Sequence, residues 1–560
     1  MQALYQLSYS PEIDPPGVGP RSGVANLTRP LPRSAKSVSR RLTSPGHGRR
    51  PGGYCRRPPS PKPPTPGART AVSALPQSAQ SRSRQSGIRG RSALAARALE
   101  RPVLIASGVC LLSFAAFWTA QRATGVSMID LMVYRAEGWT VRTGGDLYAM
   151  RATYADLPTT YPPFAALLFM PLTLLDVADM RTLGTAGNLV LLVAVVHLSL
   201  RLIGDRPRPF RSSRSSLLSR LANGPHRPSL PRPAATLLIS SAAVWCEPLW
   251  TTLRYGQINL LMTVLVLWDL SRRPGHRFSG AGIGVAAGIK LTPALFAVFL
   301  ALHGTVRAVR RRRGTSDTDG EGVRNPELRR FAVAAGTFTG TALLGALVLP
   351  YDSRRFWFHV LFRSERVGHA EITDNQSLRG VVARLLHTGD PGGPWLVLAV
   401  LVALAGLAVA VAAASADRRR LPYAPAWAAM VCAVTALLVS PVSWSHHWVW
   451  CVPLVLLLCA EALTRERALF WAVSAGAAAL LFCSYAVWLV PHGVTGPVKP
   501  ELHQSGGQMA LSALYPAGGL AFLALAAVVS LRALRGRSPY EADGADGADC
   551  AADRPQAGAS

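Results

Sequence analysis

Four side chains in this 560-residue sequence have types and surroundings that suit chemistry: Asp130, Lys290, His446 and His447. Asp130 is a carboxyl set among apolar residues in the run 127–135. Partial removal from water would raise the pKa of such a carboxyl toward that of a useful general base. The alternative is an exposed acid at a helix start, where its negative charge favours the helix dipole.

Lys290 is distinguished by its position in the sequence. Of the four lysines, it alone falls inside an apolar run, within residues 288–293 (Gly-Ile-Lys-Leu-Thr-Pro). A cation among apolar residues is costly in a membrane and marks a candidate functional site, and a compact ammonium suits a phosphate partner. The alternative is a side chain that extends to the nearest membrane interface.

Residues 440–448 bring two histidines and two tryptophans to the start of a predicted helix. Neighbouring side chains on a helix diverge by about 100°, and no carboxylate lies close in sequence. Hydrogen bonding or charge stabilisation by His446 and His447 is therefore favoured over metal ligation. Trp and His at the level of lipid headgroups are the alternative. The eight cysteines form no CxxC or CxxH motif, and we expect neither a metal nor a cofactor.

Three further polar segments are weaker signals. Residues 374–377 (Asp-Asn-Gln-Ser) are suited to sugar hydroxyls and contain a glycosylation sequon, which alone is weak evidence. Gln257 and Asn259 begin an apolar span, where helix capping is the simpler explanation. Asp146 follows two glycines and is typical of a turn.

The elements that must position these residues are membrane spans. Only 16% of the residues are charged and the mean hydropathy is +0.22, whereas soluble domains carry about 25% charged residues. Apolar runs of 15 to 24 residues, each suited to a bilayer, follow residue 101. They lie near 102–120, 161–176, 182–204, 233–250, 257–271, 280–303, 330–350, 394–414, 424–440, 447–463, 467–490 and 508–531. The sequence predicts an all-α polytopic membrane protein with about 10–13 membrane segments.

The net charge of +30 lies mostly outside these runs. Residues 1–100 hold 17 basic and three acidic residues in a Pro/Ser/Arg-rich composition that cannot bury a core. We predict a disordered cytoplasmic tail over 1–100, a membrane domain over 101–535 and a second disordered tail over 536–560. The first tail lacks the apolar core of a secretory signal peptide. It also lacks the interleaved aromatic residues that stack on bases, so nucleic acid is not an expected partner. A start codon assigned too far upstream would explain the same composition.

Arginine clusters between the runs indicate cytoplasmic loops. This orientation places the segments 121–160 and 351–393, together with the turn near 441–447, on the outer side. In the first half of the chain, the spans do not cross alternately inward and outward in agreement with this rule, because the Arg-rich loop after residue 204 would fall outside. Broken or re-entrant helices at Pro162-Pro163 and at 288–293 would restore the alternation, and such backbone is tolerated where it lines a cavity.

An ordered series of short motifs over roughly 125–450 resembles a known family. The motifs are Asp130 with Val133-Tyr134, then 160–164 (Thr-Tyr-Pro-Pro-Phe), 256–259 (Gly-Gln-Ile-Asn), 288–293, 375–377 (Asn-Gln-Ser) and 440–447 (Ser-Pro-Val-Ser-Trp-Ser-His-His). Each motif is weak alone, and the ordered set is fairly specific. It resembles the actinobacterial polyprenyl-phosphate-mannose-dependent α-(1→2)-mannosyltransferases of glycosyltransferase family 87.

The resemblance implies a GT-C type fold and inverting transfer of a hexose, expected to be mannose, at the extracytoplasmic face of the cell membrane. It implies a polyprenyl-phosphate sugar donor, a glycolipid or glycan acceptor, and Asp130 as the catalytic base. A cation such as Lys290, Arg254 or a protonated histidine could stabilise the leaving phosphate without a metal. The residues expected to bind the donor phosphate or substrate are Tyr134, Arg135, Arg254, Gln257, Asn259, Lys290, Asn375, Gln376, Ser377, His446 and His447.

Two other classes of membrane protein remain as alternatives. A transporter or flippase would also need broken helices and a cation near the membrane midplane, but the two halves of the sequence show no evident hydropathy repeat. A membrane scaffold would leave Lys290 and the histidine pair unexplained.

Overall fold

A computed structural model describes residues 78–204, 230–273, 275–313, 325–465, 467–493 and 499–535. The predicted tails, up to residue 77 and from residue 536, lie outside the described residues. Within the described ranges there are eighteen α-helices. They are α1 (Ser78–Ala123), α2 (Ile129–Thr143), α3 (Pro163–Phe169), α4 (Val177–Gly204), α5 (Arg232–Ala243), α6 (Glu247–Tyr255), α7 (Asn259–Leu270), α8 (Ala281–Ile289), α9 (Ala294–Arg312), α10 (Pro326–Val348), α11 (Pro350–Phe358), α12 (Leu378–Leu385), α13 (Gly392–Ala414), α14 (Ala424–Val439), α15 (Cys451–Ala462), α16 (Ala468–Cys483), α17 (Gly506–Ser512) and α18 (Leu514–Arg535).

Seven helical segments are long and apolar enough to cross a membrane, counted over the described ranges alone. They are Arg101–Ala123, Val177–Gly204, Pro326–Val348, Gly392–Ala414, Ser445–Ala462, Ala468–Trp488 and Leu514–Arg535. Shorter apolar helices cover Pro163–Leu174, Asn259–Leu270 and Ala424–Val439. The predicted all-α, multi-span class is confirmed, and a total of 10–13 crossings stays a prediction. Helix α1 begins at Ser78, inside the segment predicted as a tail, since residues 93–99 (Ala-Leu-Ala-Ala-Arg-Ala-Leu) are strong helix formers.

Both predicted helix breaks are present. The seven-residue α3 starts after Pro162 and continues as a five-residue 3₁₀ helix, roughly 20 Å in all and shorter than a hydrocarbon core of about 30 Å. The second break separates α8 from α9 at Lys290, whose backbone is extended with φ −150° and ψ 131°. Pro293 lies just beyond this break, and a proline disfavours helical backbone in the residue before it.

A third break was not predicted. The apolar run 233–250 is divided between α5 and α6, because the chain is extended at Cys246 before Glu247 starts a new helix. Pro248 lies in the first turn of α6, where its missing N–H breaks no intrahelical hydrogen bond.

Helix α14 is the most enclosed element of the membrane domain. Nearly all of its residues are buried, as expected for a helix that is apolar on every side. Helix α13 crosses it closely at Gly406, where a Cβ atom would lie 2.1 Å from Thr435 Oγ1. At the other end of α14, the indole of Trp427 donates a 2.6 Å hydrogen bond to the buried carboxylate of Glu461. This helix forms one wall of the candidate site described below.

The two segments predicted as outer loops pack against each other. The first contains a small antiparallel pair, β1 (Arg151–Ala152) and β2 (Leu157–Pro158). Its Asp146 accepts hydrogen bonds from the N–H groups of residues 148 and 149, as predicted for a turn, and forms an ion pair with Arg355 of α11. Leu147 N–H donates to Asp352 at 3.1 Å. These contacts tie the segment after α1 to the segment after α10.

Candidate active site

Asp130 lies in the first turn of α2, close to the C-terminal end of α1. The turn before α2 reverses the chain at Met128, which has left-handed backbone (φ 51°). The half-buried carboxylate of Asp130 accepts a 2.6 Å hydrogen bond from Gln257 Nε2. Loss of water raises the pKa of Asp130 to about 6, although the Gln257 hydrogen bond and the charge of Lys290 oppose the rise. This carboxyl is therefore ionised near neutral pH and still basic enough to accept a proton.

Two buried tyrosines orient the Gln257 side chain. Tyr134 lies one helical turn after Asp130 on the same face of α2, and its hydroxyl donates to Gln257 Oε1 at 2.7 Å. The Tyr161 hydroxyl lies 2.9 Å from that of Tyr134. Because Oε1 is occupied by a hydroxyl donor, the amide NH₂ group faces Asp130. Tyr134 thus joins the site through Gln257.

A glycine makes this approach of α6 to α2 possible. Gly256 ends α6 with φ 67°, and a Cβ atom there would lie 2.7 Å from the Cβ of Leu131. Glycine adopts this left-handed conformation without steric cost. Gln257, the next residue, is consequently held beside the first turn of α2.

Lys290 and His447 meet although they are far apart in sequence. Lys290 Nζ lies 3.0 Å from His447 Nε2 and 5.5 Å from the centre of the Tyr161 ring. The Nδ1 atom of His447 accepts the backbone N–H of Trp444 at 3.2 Å, which leaves the proton of a neutral ring on Nε2. Two hydrogen-bond donors then face the same space, an arrangement that suits an anionic oxygen.

His446 is only 3% exposed, and among the described residues neither ring nitrogen has a hydrogen-bond partner. Its carbonyl accepts hydrogen bonds from Thr252 at 2.8 Å and Asn259 at 3.0 Å. Asn259 therefore positions the histidine turn and does not cap α7, which begins at Asn259 without a side-chain cap hydrogen bond. The His446 ring lies at 5.2 Å from Tyr255, edge to face.

Asp374, the first residue of the polar segment 374–377, is a second acid at the site, and its position beside the histidines was not predicted. Its carboxylate accepts the backbone N–H of Ser445 at 2.9 Å and lies 4.0 Å from His446 Nδ1. Loss of water raises the pKa of Asp374 to about 7, and the negative charges of Glu247 and Asp130 add to the rise. No carboxylate lies close to the histidines in sequence, and Asp374 reaches His446 from another loop.

Asn375, Gln376 and Ser377 are fully buried and hydrogen-bonded within the protein. Asn375 Oδ1 accepts the N–H of Ser443, Gln376 donates to the Ser512 carbonyl, and Ser377 donates to the Pro441 carbonyl. These bonds hold the histidine turn against the outer loop. The direct contact of these three residues with a substrate stays a prediction. The Asn375 side chain of the glycosylation sequon is buried, so it is not accessible for attachment of a glycan in this conformation.

The two predicted arginines lie differently. Arg135 donates to the Leu175 carbonyl at 3.3 Å, at the end of the 3₁₀ helix, and is not joined to the Asp130 hydrogen-bond network. The half-buried Arg254 guanidinium lies 5.9 Å from the centre of the Tyr255 ring, and that ring in turn contacts His446. Arg135 supports the segment that follows α3.

A small cavity of about 60 Å³ opens beside Lys290. Its wall combines the polar side chains of Lys290, Asn259 and His447 with the apolar side chains of Phe296 and Leu437. The described part of the chain contains no group of three or more His, Cys, Asp or Glu residues placed to hold a metal ion. The cavity suits a ligand with a charged head and an apolar body.

Comparison with known proteins identifies the family. The model of glycosyltransferase family 87 matches residues 160–441. A polyprenol-phosphate-mannose-dependent alpha-(1-2)-phosphatidylinositol pentamannoside mannosyltransferase of Mycobacterium tuberculosis (strain CDC 1551 / Oshkosh) is 33% identical over 62% of this chain and 70% of its own length. A polyprenol-phosphate-mannose-dependent alpha-(1-2)-phosphatidylinositol mannoside mannosyltransferase of Mycolicibacterium smegmatis is 30% identical over 66% of this chain and 78% of its own length.

Among solved structures, ArnT from Cupriavidus metallidurans, bound to undecaprenyl phosphate, matches 81% of each chain at 16% identity and a TM-score of 0.30. The family match covers half of the chain, and it includes the motifs at Gln257, Lys290 and Asn375. It ends at Pro441, just before the histidine pair, and begins after Asp130. This chain is a multi-pass membrane protein that belongs to glycosyltransferase family 87.

Proposed function

We propose that this protein transfers mannose from a polyprenyl-phosphate donor to a lipid-anchored acceptor of the phosphatidylinositol mannoside class, at the outer face of the membrane. The relatives carry this donor and acceptor class in their names. Family membership favours a transferase over a transporter or flippase. The observation that carries the mechanism is the convergence of one carboxylate and two donor groups around Tyr161.

Asp130 is the general base in this proposal. The acceptor hydroxyl attacks the anomeric carbon of the donor as the bond from that carbon to the phosphate oxygen breaks. The hydroxyl proton passes to Asp130, and the sugar configuration inverts. The Gln257 hydrogen bond keeps the carboxylate ionised and aimed, and its partial burial keeps it basic.

Lys290 and His447 stabilise the leaving group. The departing polyprenyl phosphate gains negative charge, and two donors directed at one oxygen bind that charge more strongly in the transition state than in the ground state. The extended backbone at Lys290 allows its side chain to reach His447. Asp374, beside His446, is placed to accept a hydroxyl hydrogen bond from a sugar ring.

The outer location is supported by the order of the helices. Asp130 follows α1, Gln257 lies between α6 and α7, Lys290 between α8 and α9, and His447 between α14 and α15. If the short α3 does not cross, α1 and α4 run in opposite directions, and the Arg-rich end of α9 lies on the side where α4 ends. Basic residues prefer the cytoplasmic side, so the site elements meet at the opposite face.

The direct test is transfer of labelled mannose from polyprenyl-phosphate mannose by the full chain in lipid vesicles. Asp130→Asn is expected to lower kcat by about 10²–10⁴-fold, the usual contribution of a general base. Asp156→Asn, which changes an exposed acid in the same outer segment, is the matched control and is expected to keep wild-type activity.

Three outcomes would overturn parts of this proposal. Full activity in Asp130→Asn together with loss of activity in Asp374→Asn would move the base to Asp374. Absence of transfer from any polyprenyl donor by the wild-type protein would refute the donor assignment. Labelling of Asp156→Cys in intact cells by a membrane-impermeant maleimide is expected, and its failure would refute the outer location.

A further inference from the structure

A second and larger cavity lies beside the turn that precedes Asp130, and it shares no lining residue with the cavity at Lys290. It has a volume of about 470 Å³, within the usual range for ligand sites of about 300–1,000 Å³. Its wall comes from the outer end of α1, the turn before α2, and the first turns of α4. Met128, two residues before Asp130, lines this cavity. Nothing in the mechanism above uses this space.

Two guanidinium groups give the cavity its character. Arg122 and Arg181 both line it, and among the described residues no carboxylate forms an ion pair with either one. Arg122 makes a long contact of 3.5 Å with the Thr182 hydroxyl. The Nε atom of Arg181 is buried without a hydrogen-bond partner. Buried donors of this kind are costly unless a partner is supplied.

The position of Arg181 adds to the demand for an anion. It lies near the N-terminal end of α4, where the helix dipole disfavours a cation and favours a negative charge. The planar guanidinium can hold a phosphate through two parallel hydrogen bonds. A phosphodiester between Arg122 and Arg181 would give the buried Nε of Arg181 a partner, pair with the exposed Arg122 guanidinium and face the positive end of the helix dipole.

The remaining wall fits a lipid-anchored molecule. Phe117 and Trp118 supply an apolar side on α1, and the same helix exposes Leu111 and Leu112 along the surface that faces lipid. Ser127 supplies a hydroxyl next to the turn that leads to Asp130. A glycolipid could therefore bind in a single orientation, with its anionic headgroup in the cavity, its acyl chains along α1 and its sugar directed at Asp130.

The two cavities are lined by residues from the two ends of one short segment. Leu253 lines the larger cavity and Asn259 lines the smaller one. Gln257, between them, binds Asp130. In an inverting transfer, the acceptor hydroxyl attacks the anomeric carbon from the side opposite the departing phosphate. The base must therefore lie next to the hydroxyl.

We propose that the larger cavity is the acceptor subsite and that Arg122 and Arg181 bind the phosphodiester of an anionic glycolipid acceptor. The inference rests on the proposed function, because it needs a sugar transfer at Asp130. It adds the binding site that selects an anionic acceptor over a neutral one.

The test compares two acceptors that end in the same mannose: an anionic phosphatidylinositol mannoside and a neutral alkyl mannoside. Arg122→Gln and Arg181→Gln are each expected to raise KM for the anionic acceptor about tenfold or more, with the double variant larger. KM for the neutral acceptor and for the donor should stay at the wild-type values. Arg181→Lys keeps the positive charge but cannot form the two parallel hydrogen bonds of a guanidinium, so it should show a smaller rise in KM for the anionic acceptor.

Arg151→Gln is the matched control. Arg151 is exposed, and its guanidinium donates to the backbone carbonyls of residues 149 and 150. It should leave all three KM values unchanged. A thermal unfolding curve in detergent for each variant separates loss of binding from loss of folding.

Three results would overturn the inference. A rise in the donor KM without a rise in the acceptor KM would assign the cavity to the donor. Equal rises for both acceptors would make the arginines structural, and unchanged values would leave them without a role in binding. Failure of the proposed function is a different result, namely no transfer by the wild-type protein. The cavity is then still tested by native mass spectrometry, where wild type should retain phosphatidylinositol and the double variant should lose it.

Discussion

Replacing Gln257 with leucine should move the pH dependence of the reaction to higher pH. The Gln257 amide donates a 2.6 Å hydrogen bond to the Asp130 carboxylate and so stabilises its charged form. A hydrogen bond to a charged group contributes about 1.5–3 kcal/mol, and each pKa unit corresponds to about 1.36 kcal/mol. Loss of the bond should therefore raise the pKa of Asp130 from about 6 by roughly one to two units.

The sign of the effect follows from the role of Asp130 as base. Only the ionised carboxylate accepts the hydroxyl proton, so kcat/KM rises with pH through the pKa of the free enzyme. A raised pKa shifts this rise to higher pH. At about pH 6.5 the variant should lose roughly tenfold in kcat/KM, and its deficit relative to wild type should shrink as the pH rises through the raised pKa of Asp130. Tyr134 and Tyr161 still pair with each other at 2.9 Å in the variant.

The assay is mannose transfer in vesicles across a series of pH values, with the midpoint of the acidic limb as the measured quantity. Asn259→Leu is the matched control, because this buried amide binds the His446 carbonyl and not Asp130. It should lower activity at every pH without moving the midpoint. An unmoved midpoint in Gln257→Leu would refute the reasoning, as would disappearance of the limb in Asp374→Asn, since Asp374 has a pKa of about 7.

Three further outcomes follow from the same structure. Lys290→Met should lower kcat by about 10²–10³-fold, with partial activity in Lys290→Arg; wild-type kcat in Lys290→Met would exclude it from leaving-group stabilisation. Gly256→Ala should lower both the Tm and the activity, because left-handed backbone costs alanine about 1 kcal/mol and its Cβ meets Leu131. Gly187→Ala should lower neither the Tm nor the activity, because no atom beyond the adjoining turns of its own helix lies within 4 Å of the position of the added Cβ. Equal effects of Gly256→Ala and Gly187→Ala would contradict this reasoning. Glu247→Ala should lower the free energy of unfolding in detergent by about 3 kcal/mol or more, because Glu247 accepts hydrogen bonds from Thr251, Ser445, Trp488 and Tyr515; an unchanged Tm would refute this role.

Much of the fold was predictable because its signals are local. A long apolar run forms a helix in a bilayer wherever it occurs, since lipid offers no other hydrogen-bond partners to the backbone. Pro162 and Pro293 mark helix breaks through an equally local effect, because proline has no N–H to donate and disfavours helical backbone in the residue before it. The position of Lys290 within such a break could therefore be inferred from six residues. The division between α5 and α6 was missed, because its signal is a single proline near the end of an apolar run.

The contacts within the candidate site could not be predicted in this way. Asp374 lies more than seventy residues before His446 and reaches it through the packing of the outer loop. Glu247 accepts a hydrogen bond from Tyr515 across 268 positions of sequence. Such contacts depend on how helices pack side by side, and residue type alone does not indicate which helices become neighbours. The Arg122 and Arg181 cavity likewise exists only where the C-terminal end of α1 meets the first turns of α4.

The sequence by itself determined that this protein crosses the membrane, where its helices break, and which side chains are chemically unusual. Hydropathy, proline and isolated charges act through their immediate surroundings, so these properties need no tertiary information. Only the tertiary structure decided that Gln257 orients Asp130, that Lys290 meets His447, and that Asn375 and its neighbours support a turn. A hydrogen bond acts over about 3 Å, and only the packed helices bring residues more than sixty positions apart within that distance.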